Sequence, residues 1–287
     1  MVEGARSSLE SSRRHTGRPS GAWVSPPAMP SPLVLLANDD GYTSPGIRAM
    51  RAALVDAGAE VVLMAPEIEQ SASSHALSLH RPMRLREVEA GVFALDGTPA
   101  DCVYVALHAG TRVLPRRPDL VVSGINHGMN LGQDAFYSGT VAAAREAALR
   151  GIPSIASSAH TSLDLVRVAR ASSRVALALL RRPRRRPHGT PLLNLNFPND
   201  WNGQVRATRL GTRIYEERVE FRKDPYGREY LWLGGPGVRH EANPGTDTDA
   251  YDEHAASITP LVLDLTSHSD AALAETMARE VGEELRP

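Results

Sequence analysis

The sequence predicts an α/β fold: a doubly wound, mostly parallel sheet with helices on both faces. Three observations carry that prediction. Short unbroken apolar runs recur, as strands buried on both faces require; segments with helical apolar spacing and good caps also occur; and the two alternate along the chain. Leu33-Val34-Leu35-Leu36-Ala37 is the first run, and a polar loop from Asn38 to Gly46 follows it. The next segment places Ile47, Met50 and Leu54 on one helical face, with Gly58 as a C-terminal stop. Val61-Val62-Leu63-Met64 reads as a second strand, completing a βαβ unit. Thr98 is a helix N-cap, with Pro99 at the first helical position and Asp101 three residues after the cap. Leu120-Val121-Val122 is another short buried strand, and Gly139-Thr140 opens an Ala-rich helix reaching Arg150. Ile152 to Ala156 and Leu192 to Leu195 are further strand candidates.

The texture changes after about residue 200. Trp201, Tyr215, Phe221, Tyr226, Tyr230 and Trp232 stand among short alternating stretches, with turn signals at Asp224-Pro225 and Gly234-Gly235-Pro236. Hairpins in an irregular extension are predicted there. Ile258 and Leu261-Val262-Leu263 read as a late strand, and residues 269–285 as a closing helix. The expected organisation is a disordered tail over 1–31 and one domain over 32–287, divided into a core to residue 200 and an extension over 201–287. The tail mixes Arg6, Arg13, Arg14 and Arg18 with Ser and Pro, and buries too little apolar surface to offset its ordering entropy.

Composition narrows the function. In 287 residues, 32 Lys and Arg balance 33 Asp and Glu, for a formal net charge of −1. A dedicated nucleic-acid binder would carry a basic excess. The run from Arg181 to Pro187 reads as a solvated loop between a helix and a strand. No run approaches the ~18 apolar residues of a membrane span. Cys102 is the single cysteine, so no internal disulfide forms, and a cytoplasmic location is expected. Within its helix, Cys102 reads as a buried structural thiol.

In open α/β sheets, ligands bind beyond the carboxyl ends of the strands. Four polar clusters occupy such positions: Asn38-Asp39-Asp40-Gly41, Ser71 with its neighbours, Ser123 to Asn130, and Tyr137-Ser138-Gly139-Thr140. Asp39 and Asp40 repel one another, and a hard divalent cation such as Mg²⁺ or Mn²⁺ would neutralise them, with neutral oxygens from Ser71 and Asn126. On spacing alone, caps and turn formers account for the same carboxylates slightly better than a metal does. Ser138-Gly139-Thr140 before a helix makes an anion pocket suited to phosphate, or a plain helix cap. Asp96-Gly97-Thr98 lacks a nucleophilic carboxylate two residues earlier, where Ala94 stands, and no P-loop is present.

Taken in order, these residues resemble the SurE family of metal-dependent 5′/3′-nucleotidases. The resemblance rests on Leu35 to Gly41 with Pro45-Gly46-Ile47, Ala65-Pro66, Gly97-Thr98-Pro99 with Asp101-Cys102-Val103, and Pro118 to Asn126. It continues through Tyr137 to Ala144, Asn194 to Pro198 and Ser257 to Leu261. It implies phosphomonoester hydrolysis of nucleoside monophosphates with one divalent ion per subunit, held by Asp39, Asp40, Ser71 and Asn126. It further implies that Asp39 orients or deprotonates a water. Asn130, with Ser138, Gly139 and Thr140, would hold phosphoryl oxygens, alongside Asn38 at the strand end. Family members exchange C-terminal elements, so a homodimer or homotetramer is expected.

One stretch departs from the family pattern. Where positive charge is usual after Ala-Pro, this chain has Glu67-Ile68-Glu69-Gln70-Ser71-Ala72; His75 replaces a usual Asn, and His127 and Met129 replace small residues or Pro. An acidic loop there is expected to favour weakly charged monophosphates over polyanions. It also keeps two alternatives open: a phosphatase for another small phosphorylated metabolite, and a catalytically weak nucleotide-binding oligomer.

Overall fold

The computed structural model describes residues 31–160, 162–182, 189–216, 218–235 and 237–284. The expected tail lies outside the described residues except for Ser31, as do residues 183–187 of the arginine-rich run. β1 (Leu33–Ala37) is buried at every position. Val34 and Leu36 pack on one face with Ile47, Met50 and Leu54 of α1 (Pro45–Asp56). Leu33, Leu35 and Ala37 pack on the other. Burying the four large side chains of this strand contributes roughly 8 kcal/mol before chain entropy is subtracted.

β2 (Glu60–Pro66) pairs parallel with β1, and the unpredicted hairpin of β3 (Leu85–Glu89) and β4 (Val92–Leu95) adds to it. α2 (Pro99–His108) starts at a complete capping box of Thr98 and Asp101. β5 (Leu120–His127), α3 (Asp134–Tyr137), α4 (Gly139–Leu149), β6 (Ser154–Ala159), α5 (Leu165–Leu180) and β7 (Leu192–Phe197) follow. β8 (Val205–Ala207), β9 (Arg213–Tyr215), β10 (Val219–Lys223), β11 (Glu229–Leu233), β12 (Val238–His240), α6 (Asp247–Asp252), β13 (Ala256–Pro260) and α7 (Ala271–Glu284) complete the described chain.

The nine-stranded sheet has the order β3-β4-β2-β1-β5-β6-β7-β13-β8. Its centre is parallel, β3 and β13 run antiparallel to their inner neighbours, and α1 and α5 cover one face while α2 and α4 cover the other. Cys102 is fully buried in the second core.

The strand boundaries differ from expectation in instructive ways. β5 runs five residues past Val122, because Ser123 to His127 continue the ladder on β6. The polar cluster expected in a loop is therefore strand, which fixes Asn126 more tightly. Leu261 and Leu263 are not strand. They follow Pro260 and pack against Ala135, Val141, Ala144 and Ala148, so their apolar character serves a helix face. The extension is also not wholly separate from the core, since β13 and β8 lengthen the main sheet.

Candidate active site

The chain leaves β1 toward β2 and β4, then returns to β5 on the opposite side of β1. That reversal is the switch point of the sheet, and the crevice beyond its strand ends is the natural ligand site. Asp39 and Asp40 follow β1 there, and Asn126 and His127 end β5. A cavity of about 520 Å³ opens beside them, lined by Asp40, Ser44, Glu69, Asn126, His127, His160, Leu163 and Leu165.

Asp39 is buried, only 5% exposed, and aims at the start of α4. Its Oδ2 accepts from the Thr140 backbone N–H at 3.1 Å, and its Oδ1 accepts from the Thr140 hydroxyl. The carboxylate thus sits against the positive end of a helix dipole. Gly139 makes this approach possible. A Cβ there would lie 2.9 Å from Asp39 Cβ and 2.8 Å from Ser73 Oγ. Burial pushes the Asp39 carboxyl up to about 6; Asp40 adds to the rise, and the Thr140 hydrogen bonds offset only part of it. Burial also raises Asp40, aided by Glu69 and opposed by His127. The Asp40 Oδ2 accepts the His127 backbone N–H at 3.2 Å.

The neutral donors complete the set. Asn126 Nδ2 donates to the Gly128 carbonyl at 3.0 Å, which leaves its Oδ1 for a cation. Ser71 Oγ donates to Glu69 at 2.6 Å, and its lone pairs remain. The Gln70 N–H donates to the Asp39 carbonyl at 2.8 Å, which ties the Ser71 loop to the strand end. Two adjacent carboxylates after β1, Asn126 at the end of β5 and Ser71 on the loop tied to the Asp39 carbonyl offer the kinds of hard oxygen that Mg²⁺ or Mn²⁺ takes. Among the described residues, no three His, Cys, Asp or Glu side chains converge on a metal position by themselves.

The remaining expected residues divide. Asn38 is fully buried and braces the turn, its Nδ2 donating to the Gly41 carbonyl at 3.0 Å and to Ser44 Oγ at 2.8 Å. Its Oδ1 has no hydrogen-bond partner among the described residues. Ser138 Oγ caps α4 by accepting the Val141 N–H at 3.1 Å. Both Thr140 donors expected to face phosphate are engaged by Asp39. Asn130 is locked by its neighbours: its N–H donates to Asn196 Oδ1 at 2.8 Å and its Nδ2 to Ser158 Oγ at 2.8 Å. Its carbonyl accepts from Asn194 and Asn196. Asn194, Asn196 and Ser158 were missed as supports. The signal was their polar side chains at buried positions of otherwise apolar strands. The acidic loop is also less acidic toward the site than its sequence implies. Glu67 is paired with Arg86 at 2.7 Å, so Glu69 alone faces the cavity.

Comparison with known proteins identifies the family. A family model described as "Survival protein SurE" matches residues 34–217. A Sorangium cellulosum protein named 5′-nucleotidase SurE is 59% identical over 255 residues, covering 88% of this chain and 98% of that one. A Myxococcus xanthus protein of the same name is 46% identical over 240 residues, 82% of this chain and 89% of its own. The crystal structure of SurE protein from Aquifex aeolicus superimposes with a TM-score of 0.71 at 38% identity, covering 86% of this chain and 99% of that one. A parallel sheet carrying two carboxylates at its switch point, with that similarity along most of its length, places this chain in the SurE family.

Proposed function

We propose that this protein is a metal-dependent phosphomonoester hydrolase of the 5′-nucleotidase type, which releases phosphate from nucleoside monophosphates. The observation that carries the reading is the Asp39–Asp40 pair at the switch point, buttressed by Thr140 and His127 beside the oxygens of Ser71 and Asn126. The relatives named 5′-nucleotidase SurE support the reaction class. One divalent ion, Mg²⁺ or Mn²⁺, would be held by Asp39, Asp40, Ser71 and Asn126. When bound, such an ion neutralises phosphoryl charge and acidifies a water.

The chain's own groups do the rest. Thr140 orients Asp39, whose carboxylate would orient or deprotonate the attacking water. Asn130, held rigid by Asn196 and Ser158, presents a pre-positioned amide to the phosphoryl group. Ser138 and Gly139 form the first turn of α4 and direct its dipole at the same place. The adjoining cavity, with His127 and His160 beside Leu163 and Leu165, has room and mixed polarity for a nucleoside leaving group.

Homo-oligomerisation, as a dimer or a tetramer, belongs to the same proposal. Its support is the exposed apolar surface of β10 and β11. None of the described helices is long and apolar enough to cross a membrane. With one fully buried cysteine, a cytoplasmic setting fits. The deciding experiment measures phosphate release from nucleoside 5′- and 3′-monophosphates, sugar phosphates and polyphosphate, with Mg²⁺, Mn²⁺ or EDTA. Release from 5′-monophosphates that EDTA abolishes is expected. Preference for a sugar phosphate, or activity unaffected by EDTA, would refute the reading.

A further inference from the structure

The loop that carries Ser71 is strained and needs an anchor. Ala72 and Ser74 both adopt left-handed backbone conformations, with φ of 56° and 51°. Non-glycine residues persist there only where their surroundings hold them. Upstream, the loop is tied at Gln70 to the Asp39 carbonyl. Downstream, the Ala76 carbonyl accepts from Thr98 and the Ser78 N–H donates to Asp101. Between these ends, Ser74 is fastened to α3: its N–H donates to the Tyr137 carbonyl at 2.9 Å and its Oγ to the Phe136 carbonyl at 2.7 Å.

The next residue reaches α4. His75 Nε2 lies 2.9 Å from Glu146 Oε2, with side-chain exposures of 18% and 2%. The other oxygen of Glu146 accepts from Arg150 Nε at 2.9 Å. Arg150 in turn lies over the Tyr104 ring at 5.2 Å. Glu146 is thus held in place from α4 itself, so its contact with His75 gives the loop a rigid reference. The same helix holds Asp39 at its first turn. α4 therefore carries both Asp39 and, through His75, the loop of Ser71.

We infer that His75, acting through Glu146, is a positioning residue that holds Ser71 in register with Asp39 for metal binding. The inference rests on the assignment of Ser71 to the metal centre. His75 touches neither substrate nor metal in this scheme. Its loss should therefore weaken metal binding and spare turnover once metal saturates.

The test is titration of Mn²⁺ into metal-free full-length protein by calorimetry, beside kcat at saturating Mn²⁺. His75→Ala should bind Mn²⁺ at least tenfold more weakly while kcat stays within threefold. His75→Gln, whose amide nitrogen replaces Nε2, should restore binding to within threefold. Should His75→Ala fail to fold, Glu146→Leu carries the test with the same split expected, because it removes the partner of His75 and leaves the Ser71 loop itself unaltered. Unchanged Mn²⁺ affinity in a folded His75→Ala protein, or a fall in saturated kcat matching the fall in affinity, would overturn the inference. Ser71→Ala separates the two failures. If it weakens Mn²⁺ binding and His75→Ala does not, only the positioning role falls. If neither variant changes binding, the metal-ligand assignment of Ser71 falls with it.

Discussion

Asp39 joins conflicting demands in one side chain. Burial makes its charge costly in the metal-free protein, while the proposed chemistry needs that charge. Asp39→Asn keeps the shape and removes the charge. It should lower kcat by about a thousandfold or more, and leave the metal-free protein at least as resistant to heat at pH 8. Paired activity and melting measurements check this; a variant that unfolds early would make Asp39 a structural residue. Glu69 sets a second residue-scale expectation. It faces the cavity with no basic partner among the described residues, whereas Glu67 is paired with Arg86. Glu69→Gln should raise kcat/KM for polyphosphate about fivefold more than for a monophosphate, and salt should narrow that gap. Glu67→Gln should change the ratio little. Equal effects of the two substitutions would mean that loop charge does not select substrates. At this scale the position of the Asp39–Asp40 pair beyond β1 was legible, because paired carboxylates after an apolar run state a chemical problem in sequence. Thr140 as the partner of Asp39 was not, because the two are 101 residues apart and only the folded sheet joins them.

α4 shows what an element contributes beyond its residues. Its Ala-rich sequence and Ser138 cap were readable as a helix start, and the structure places Gly139 where a Cβ would strike Asp39. Strand ends were less legible than strand cores. Apolar runs mark where a strand is buried, but the ladder of β5 continues through Ser123, Gly124 and Asn126, whose polarity mimics a loop. β3 was missed for a similar reason, as an edge strand with mostly exposed residues. The buried Glu146 gives α4 a pH signature. Burial alone would raise its pKa, but hydrogen bonds from His75 and Arg150 outweigh burial and hold it below the ordinary 4.5. A carboxyl with a depressed folded pKa adds stability above its unfolded value and loses it as pH falls through the folded value. Glu146→Gln should therefore cost about 1–2 kcal/mol at pH 7, and the gap to wild type should close as pH drops below 4.5. Urea unfolding at pH 7 and pH 4 measures it. A gap that stays constant would show that packing, and not charge, holds Glu146.

For the whole molecule, the question is what covers the extension. The βαβ core was readable because each strand and helix buries its apolar face locally in sequence and in space. The region after residue 200 does not follow that rule. β10 and β11 form a two-stranded sheet of their own, with Phe221 opposite Leu231 and Val219 opposite Leu233. Strand alternation puts these four side chains on one face, and they are 62%, 48%, 50% and 78% exposed respectively. An isolated hairpin is marginally stable in water and needs a surface to pack against. A contiguous exposed apolar face of this kind is a candidate for an interface. A second copy of the chain is the occupant proposed, and in that proposal the hairpin arm would belong to the quaternary structure. Light scattering on the purified protein at micromolar concentration should give a dimer or tetramer mass. Phe221→Asp with Leu231→Asp should shift it to monomer, because two carboxylates on that face cannot be buried without partners. A wild-type monomer, or an assembly unmoved by the double substitution, would place the interface elsewhere and leave the hairpin's apolar face to a different partner.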